Sequence, residues 1–169
     1  MAAGLAPRQK LLLFLAGGAC GFAPCQLLSW WAESRDVSLL MLKSAGPFSF
    51  GRVLNPGFLG GFFPRLVHSG QGATWLIMAV ASLLAGWYLW KRASVPKDFL
   101  LLGLLIGAGA STLVDRMRLG GVVDYFLVHA SATLPATAFN LSDVVIPVAA
   151  ALIALRLLRD RAQEEPRQE

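Results

Sequence analysis

Three aspartates, Asp115, Asp124 and Asp143, stand in apolar surroundings in a chain otherwise poor in charge. Two carboxyl groups sharing a poorly hydrated site repel each other, so one keeps its proton while the other ionises. Such a pair can activate water and protonate a leaving amine. Asp124 and Asp143 have no adjacent basic residue and form the candidate pair, whereas Asp115 is expected to pair with Arg116 or Arg118 and so orient its helix. Spacing alone leaves a proton or ion relay and plain helix-end polarity open as alternatives.

The other titratable residues suggest less. Glu33, Asp36, Asp98, Asp160, Glu164, Glu165 and Glu169 are expected in loops or in the tail. Cys20 and Cys25 are too few for a disulfide framework, lack the partners of a zinc site, and read as small buried side chains. His68 and His129 read as polar residues of two separate loops. Ser131 lies close to His129 in sequence but without the context of a nucleophile. No metal or nucleotide motif is present, and no cofactor is expected.

The elements that must position these carboxyls follow from hydropathy. Of 169 residues, 56% are apolar and 15% charged. With glycine counted and tyrosine omitted the apolar share is about 65%, against roughly 45–50% in soluble domains. This composition excludes disorder and a soluble globule and indicates an all-α integral membrane protein of one domain.

Four spans are expected, at about residues 11–31, 73–90, 99–117 and 138–155. Nine of the fifteen Lys and Arg fall in the N-terminal segment, the loop 91–98 and the tail 156–169, which places both termini in the cytoplasm by the positive-inside rule. The same scattered distribution argues against nucleic acid as a partner. Asp143 lies 13 residues before Arg156, about 20 Å along a helix, and so below the outer surface of the membrane. A carboxylate at such depth costs about 2.5–3.5 kcal/mol on insertion scales, and such residues usually face a cavity or a partner. The outer loop 32–72 is rich in Gly and Pro, and its segments Val37–Leu42 and Phe48–Phe63 read as short strands, a small β-rich element on the bilayer surface or over a cleft. Gly120–Val128 reads as an apolar segment dipping toward the level of Asp143.

The run Asp115-Arg116-Met117-Arg118-Leu119-Gly120-Gly121-Val122-Val123-Asp124-Tyr125, followed by Phe139-Asn140-Leu141-Ser142-Asp143, resembles the two C-terminal motifs of lipoprotein signal peptidases (signal peptidase II). These are four-span aspartic proteases of the bacterial inner membrane that cut prolipoproteins before a diacylglyceryl-modified cysteine. The resemblance implies that Asp124 and Asp143 are the catalytic dyad, with Arg116 and Asn140 bracing it and contacting substrate. Asn55, in Asn55-Pro56-Gly57, resembles the asparagine of the family's N-x-G motif. Where the family's first span carries Asp-Gln-x-x-Lys, this chain has Cys25-Gln26-Leu27-Leu28-Ser29, and Ser111-Thr112 stand where the family has Gly-Asn. Gln26, Thr112 and Asp115 complete the supporting residues.

The resemblance further implies a monomer whose partners are diacylglyceryl-modified prolipoproteins and membrane lipids. Two rival expectations remain: an impaired or non-catalytic paralogue that binds precursors or inhibitors, motivated by the altered first span, and a small channel, disfavoured by the lack of charge in spans one and two.

Overall fold

The computed structural model describes residues 5–35, 47–56, 80, 83, 86, 87, 90, 91, 93, 95–129 and 137–164, with side chains as far as residue 159. Along the described chain come helix α1 (Pro7–Glu33), strand β1 (Phe48–Asn55), helix α2 (Pro96–Leu119), strands β2 (Val122–Val128) and β3 (Thr137–Phe139), and helix α3 (Leu141–Glu164). Among the described residues the protein is mostly helical, with three helices long and apolar enough to cross a membrane and one small antiparallel sheet. Most of the expected span 73–90 lies outside the described residues; within it Val80, Leu83, Gly86, Trp87 and Trp90 are helical.

The helices are built inside out relative to a soluble bundle. The buried face of α1 is small or polar, consisting of Gly17, Gly21, Cys25, Gln26, Ser29 and Ala32, while Leu11, Leu15 and Leu27 point outward. In lipid, large apolar side chains gain nothing by leaving the surface, and small residues let backbones approach. A Cβ on Gly17 or Gly21 would strike the carbonyls of Leu100 or Leu104, and one on Gly103 or Gly107 would strike those of Phe14 or Gly18. These contacts advance together along both chains, so α1 and α2 run parallel. Arg118 closes their far end by donating to both carboxylate oxygens of Glu33, at 3.0 and 3.2 Å. Helix α3 runs back against α2, and Arg156 meets Asp98 at 3.4 Å near the start of α2.

Pro96 opens α2, where its missing N–H costs nothing, and the Asp98 carboxylate accepts from the Val95 N–H at 3.0 Å. The helix stops at Gly120, whose φ of 74° is the left-handed cap that glycine adopts without strain. Gly121 follows with its Cα so close to Asn55 that a Cβ would lie 2.9 Å from the Asn55 carbonyl oxygen. Two glycines thus turn the chain directly from α2 into β2.

The sheet order is β1-β2-β3, with Val53 opposite Asp124, Asn55 opposite Val122 and Phe126 opposite Phe139, and the register shifts between Phe50 and Val53. Of the two strand segments expected in the first outer loop, 37–42 and residues 57–63 lie outside the described residues, while β1 occupies 48–55. The run 122–128, read from sequence as an apolar segment dipping toward the level of Asp143, is a strand. Its β-branched and aromatic residues suit the central strand of the sheet, buried along Val122–Tyr125. Because 137–139 pair with β2, the last helix begins at Leu141 rather than 138, and it continues to Glu164 through part of the expected tail. Of the two cysteines, Cys25 is buried but Cys20 is exposed on the outward face of α1.

Candidate active site

Asn140 is the residue before α3, and its side-chain oxygen accepts the Ser142 and Asp143 N–H groups at 2.8 and 3.3 Å. In return its own N–H donates to Asp143 Oδ2 at 2.9 Å. This is a reciprocal helix cap in which Asn and Asp take the places more often held by Ser or Thr and Glu. It fixes the Asp143 carboxyl in the first turn of α3, where the helix macrodipole stabilises negative charge. The signal was present in the sequence as Asn-Leu-Ser-Asp ahead of an apolar run.

The Asn140 side-chain N–H donates to Asp124 Oδ1 at 2.6 Å, and Asn55 Nδ2 donates to Asp124 Oδ2 at 2.9 Å. Asp124 is only 2% exposed. It lies on β2, outside the helices, and burial pushes its pKa up; the two asparagine hydrogen bonds oppose this and the Asp143 charge adds to it. Asp124 and Asp143 are therefore held by the same asparagine and feel each other's charge. Arg116 donates to the Pro56 carbonyl at 3.5 Å, and its buried guanidinium faces the charges of Asp124, Asp143 and Asp115.

Asp115 has a different task. It was expected to pair with Arg116 or Arg118, and Arg118 does approach it, at 4.0 Å, while donating more closely to Glu33 at 3.0 and 3.2 Å. The close partners of Asp115 lie on α1: Gln26 Nε2 donates to Oδ1 at 2.9 Å and Ser29 Oγ to Oδ2 at 2.7 Å. The Val123 N–H, next to Asp124, donates to Oδ2 at 3.4 Å, and Ser111 Oγ donates to Gln26 Oε1 at 3.2 Å. Asp115 thus fastens α1, α2 and β2 together beneath the candidate pair. Thr112 instead donates to the Gly109 carbonyl one turn back in α2, at 2.8 Å.

Tyr125 was not singled out from sequence as a site residue. Its hydroxyl accepts the Leu141 N–H at 3.0 Å, a second tie between β2 and the start of α3. Burial pushes its pKa up to about 12, so the hydroxyl stays neutral at physiological pH. The buried Cys25 thiol faces Ser142 in the same first turn. His129 meets Ser49 at 2.8 Å across β1 and β2, while His68 and Ser131 lie outside the described residues. Among the described residues, no three His, Cys, Asp or Glu side chains converge as a metal site would require.

Residues 11–159 match the family model described as signal peptidase (SPase) II. The chain belongs to the signal peptidase II family. A lipoprotein signal peptidase of Rhizorhabdus wittichii is 30% identical over 145 residues, which cover 82% of each chain. One from Pseudomonas aeruginosa is 36% identical over 110 residues, 63% of this chain and 65% of that one. The fold also matches a solved bacterial membrane enzyme with a TM-score of 0.70 and 17% identity, covering 100% of this chain and 99% of the other. A second such structure gives 0.66 at 18% identity, over 95% and 99%. Membership of this family of membrane proteases accords with the three apolar helices.

Proposed function

We propose that the protein is an intramembrane aspartic endopeptidase that removes the signal peptide from diacylglyceryl-modified prolipoproteins, cutting before the lipidated cysteine. The observation that carries this reading is the clamp of Asn140 on both Asp124 and Asp143. Asp124, buried and raised in pKa, holds the shared proton, and Asp143 at the positive end of α3 acts as the base. Water lying between them loses a proton to Asp143 as it attacks the scissile carbonyl, whose oxygen is hydrogen-bonded by protonated Asp124. Collapse of the tetrahedral intermediate then returns a proton to the leaving amine. Arg116 balances the negative charge of the pair, and Asn55 holds Asp124 from the β1 side.

Parallel packing of α1 and α2 supports a four-span topology. If both helices cross the membrane in the same direction, the chain between them must cross back, and the helical residues between Val80 and Trp90 lie in that connection. The basic clusters support a reading in which both termini lie in the cytoplasm of a bacterial inner membrane and the carboxyl pair toward the outer face. A single chain supplies the whole pair, in keeping with a monomer.

The rival reading, an impaired paralogue that only binds precursors or inhibitors, rests on Ser29 and Ser111-Thr112 replacing family residues. The hydrogen bonds that Ser29 and Ser111 make around Asp115 and Gln26 favour the enzyme, because the network below the pair is satisfied. The test of the substrate is to offer the purified protein one precursor with and without the diacylglyceryl group. A product mass beginning at the lipidated cysteine, formed only from the lipidated precursor, is expected; equal cleavage of both or of neither contradicts the assignment.

A further inference from the structure

At the end of the bundle opposite the carboxyl pair, α1, α2 and the helical residues near Trp87 border an apolar groove with a cavity of about 220 Å³. Phe14, Leu83, Trp87, Trp90, Leu102 and Ile106 line it. Phe14 and Gln26 are separated by about 18 Å of helix, so the groove is not an extension of the candidate active site. Trp90 stands edge-on to both Phe14 and Phe99, with ring centroids 5.6 and 4.9 Å apart. Trp87 and Leu83 are 62% and 69% exposed and form the open side.

Two cations lie over aromatic rings, one of them a lining residue, Trp87, and the other Phe99, which packs on the lining Trp90. Lys10 Nζ lies 5.5 Å from the centre of the Phe99 ring, and Lys91 Nζ lies 5.9 Å from that of Trp87. Among the described residues neither lysine is ion-paired with a carboxylate. Asp98, the acid next to Phe99, is engaged by Arg156 and by the Val95 N–H. An apolar slot topped by tryptophans and bracketed by two such lysines is complementary to one kind of membrane molecule: an acyl chain ending at an anionic headgroup.

We propose that this groove binds a phospholipid with an anionic headgroup. One acyl chain lies against Leu83, Leu102 and Ile106, the tryptophans lie at the level of the glycerol, and Lys10 and Lys91 hold the phosphate. The bound lipid fills the seam between the parallel helices and the helical residues Leu83, Trp87 and Trp90.

Native mass spectrometry of the purified full-length protein, supplied with dioleoylphosphatidylglycerol or dioleoylphosphatidylcholine, tests the site. The wild type is expected to retain the anionic lipid at least about fivefold better, because each lysine near a phosphate contributes appreciably. Lys10→Gln/Lys91→Gln should abolish the preference, and Ile106→Phe should lower retention of both lipids, with thermal unfolding of the double variant close to wild type. Equal retention of the two lipids, a preference that survives loss of both lysines, or a protein dimer that forms in place of lipid binding would overturn the proposal.

Discussion

Asn140 donates its side-chain amide to Asp124 Oδ1 at 2.6 Å, and this contact joins strand β2 to the start of α3. The same residue caps α3 and holds Asp143 through its main-chain N–H. The placement of the two carboxyls thus runs through one residue, Asn140, which holds Asp124 by its side chain and Asp143 by its main-chain N–H.

Asn140→Ser keeps a good helix cap but cannot reach Asp124, whereas Asn140→Ala loses both functions. Cleavage by either variant should fall by about a hundredfold, the scale of a misplaced catalytic group. Only the alanine variant should also lose the capping contribution of about 1 kcal/mol. Thermal unfolding and turnover measured on the same samples separate the two effects. A serine variant with wild-type turnover would show that the bridge does not position the pair.

The pH dependence has a definite sign. Burial raises the Asp124 pKa, so its neutral form persists above the ordinary carboxyl range and activity should fall on the alkaline side as that proton leaves. Because the hydrogen bond from Asn140 works against the rise, Asn140→Ser should move this alkaline limb to higher pH. Stability follows the same sign. The folded state holds the proton more tightly than the unfolded chain, so this contribution is present at low pH and lost as pH rises through the folded-state value. The unfolding temperature of the wild type should decline relative to that of Asp124→Asn as pH rises; a widening advantage for the wild type would contradict the sign.

Asp115 is structural in this account. Asp115→Ala leaves the buried donors of Gln26, Ser29 and Val123 without their acceptor, at a cost of about 1–3 kcal/mol for each unsatisfied group. The variant should unfold at markedly lower temperature in detergent. Ser29→Ala, which removes one donor from a carboxylate that keeps others, should lose much less. Equal losses would mean that the carboxylate is not the hub of the network.

Close packing of α1 on α2 makes another prediction. Gly103→Val places a branched side chain against the Phe14 carbonyl and should destabilise the fold by about 1–3 kcal/mol or more, as overpacking does. Gly109→Val, on the same helix but in open space, should be far milder, and the two unfolding temperatures compared in one detergent check this.

Long apolar runs and sparse charge made the helices legible in the sequence, and the isolation of Asp124 and Asp143 marked them for attention. Other features were harder to read for physical reasons. Asp115 finds its partners on α1, more than eighty residues away, whereas local spacing offers only Arg116 and Arg118. Glu33 and Asp98, expected in loops, instead lie in the last turn of α1 and the first turn of α2 and are ion-paired at opposite ends of the bundle. Strand β2 was hidden because a short apolar run has no periodicity to distinguish a strand from a membrane-dipping segment. Two signals were available: Gly17-x-x-x-Gly21 and Gly103-x-x-x-Gly107 foretell close helix contact in lipid, and Asn140-Leu-Ser-Asp143 foretells a cap.

In the proposed mechanism Asp124 and Asp143 act as one catalytic unit. The most direct test of that mechanism is cleavage of a lipidated prolipoprotein by purified wild type, Asp124→Asn, Asp143→Asn and the double variant, with folding confirmed by thermal unfolding. Turnover by the wild type is expected, with losses in the single variants nearly as large as in the double one, because the two residues act together. A folded single variant that keeps wild-type turnover, or a wild type that is inactive where a family relative cleaves the same precursor, would contradict it.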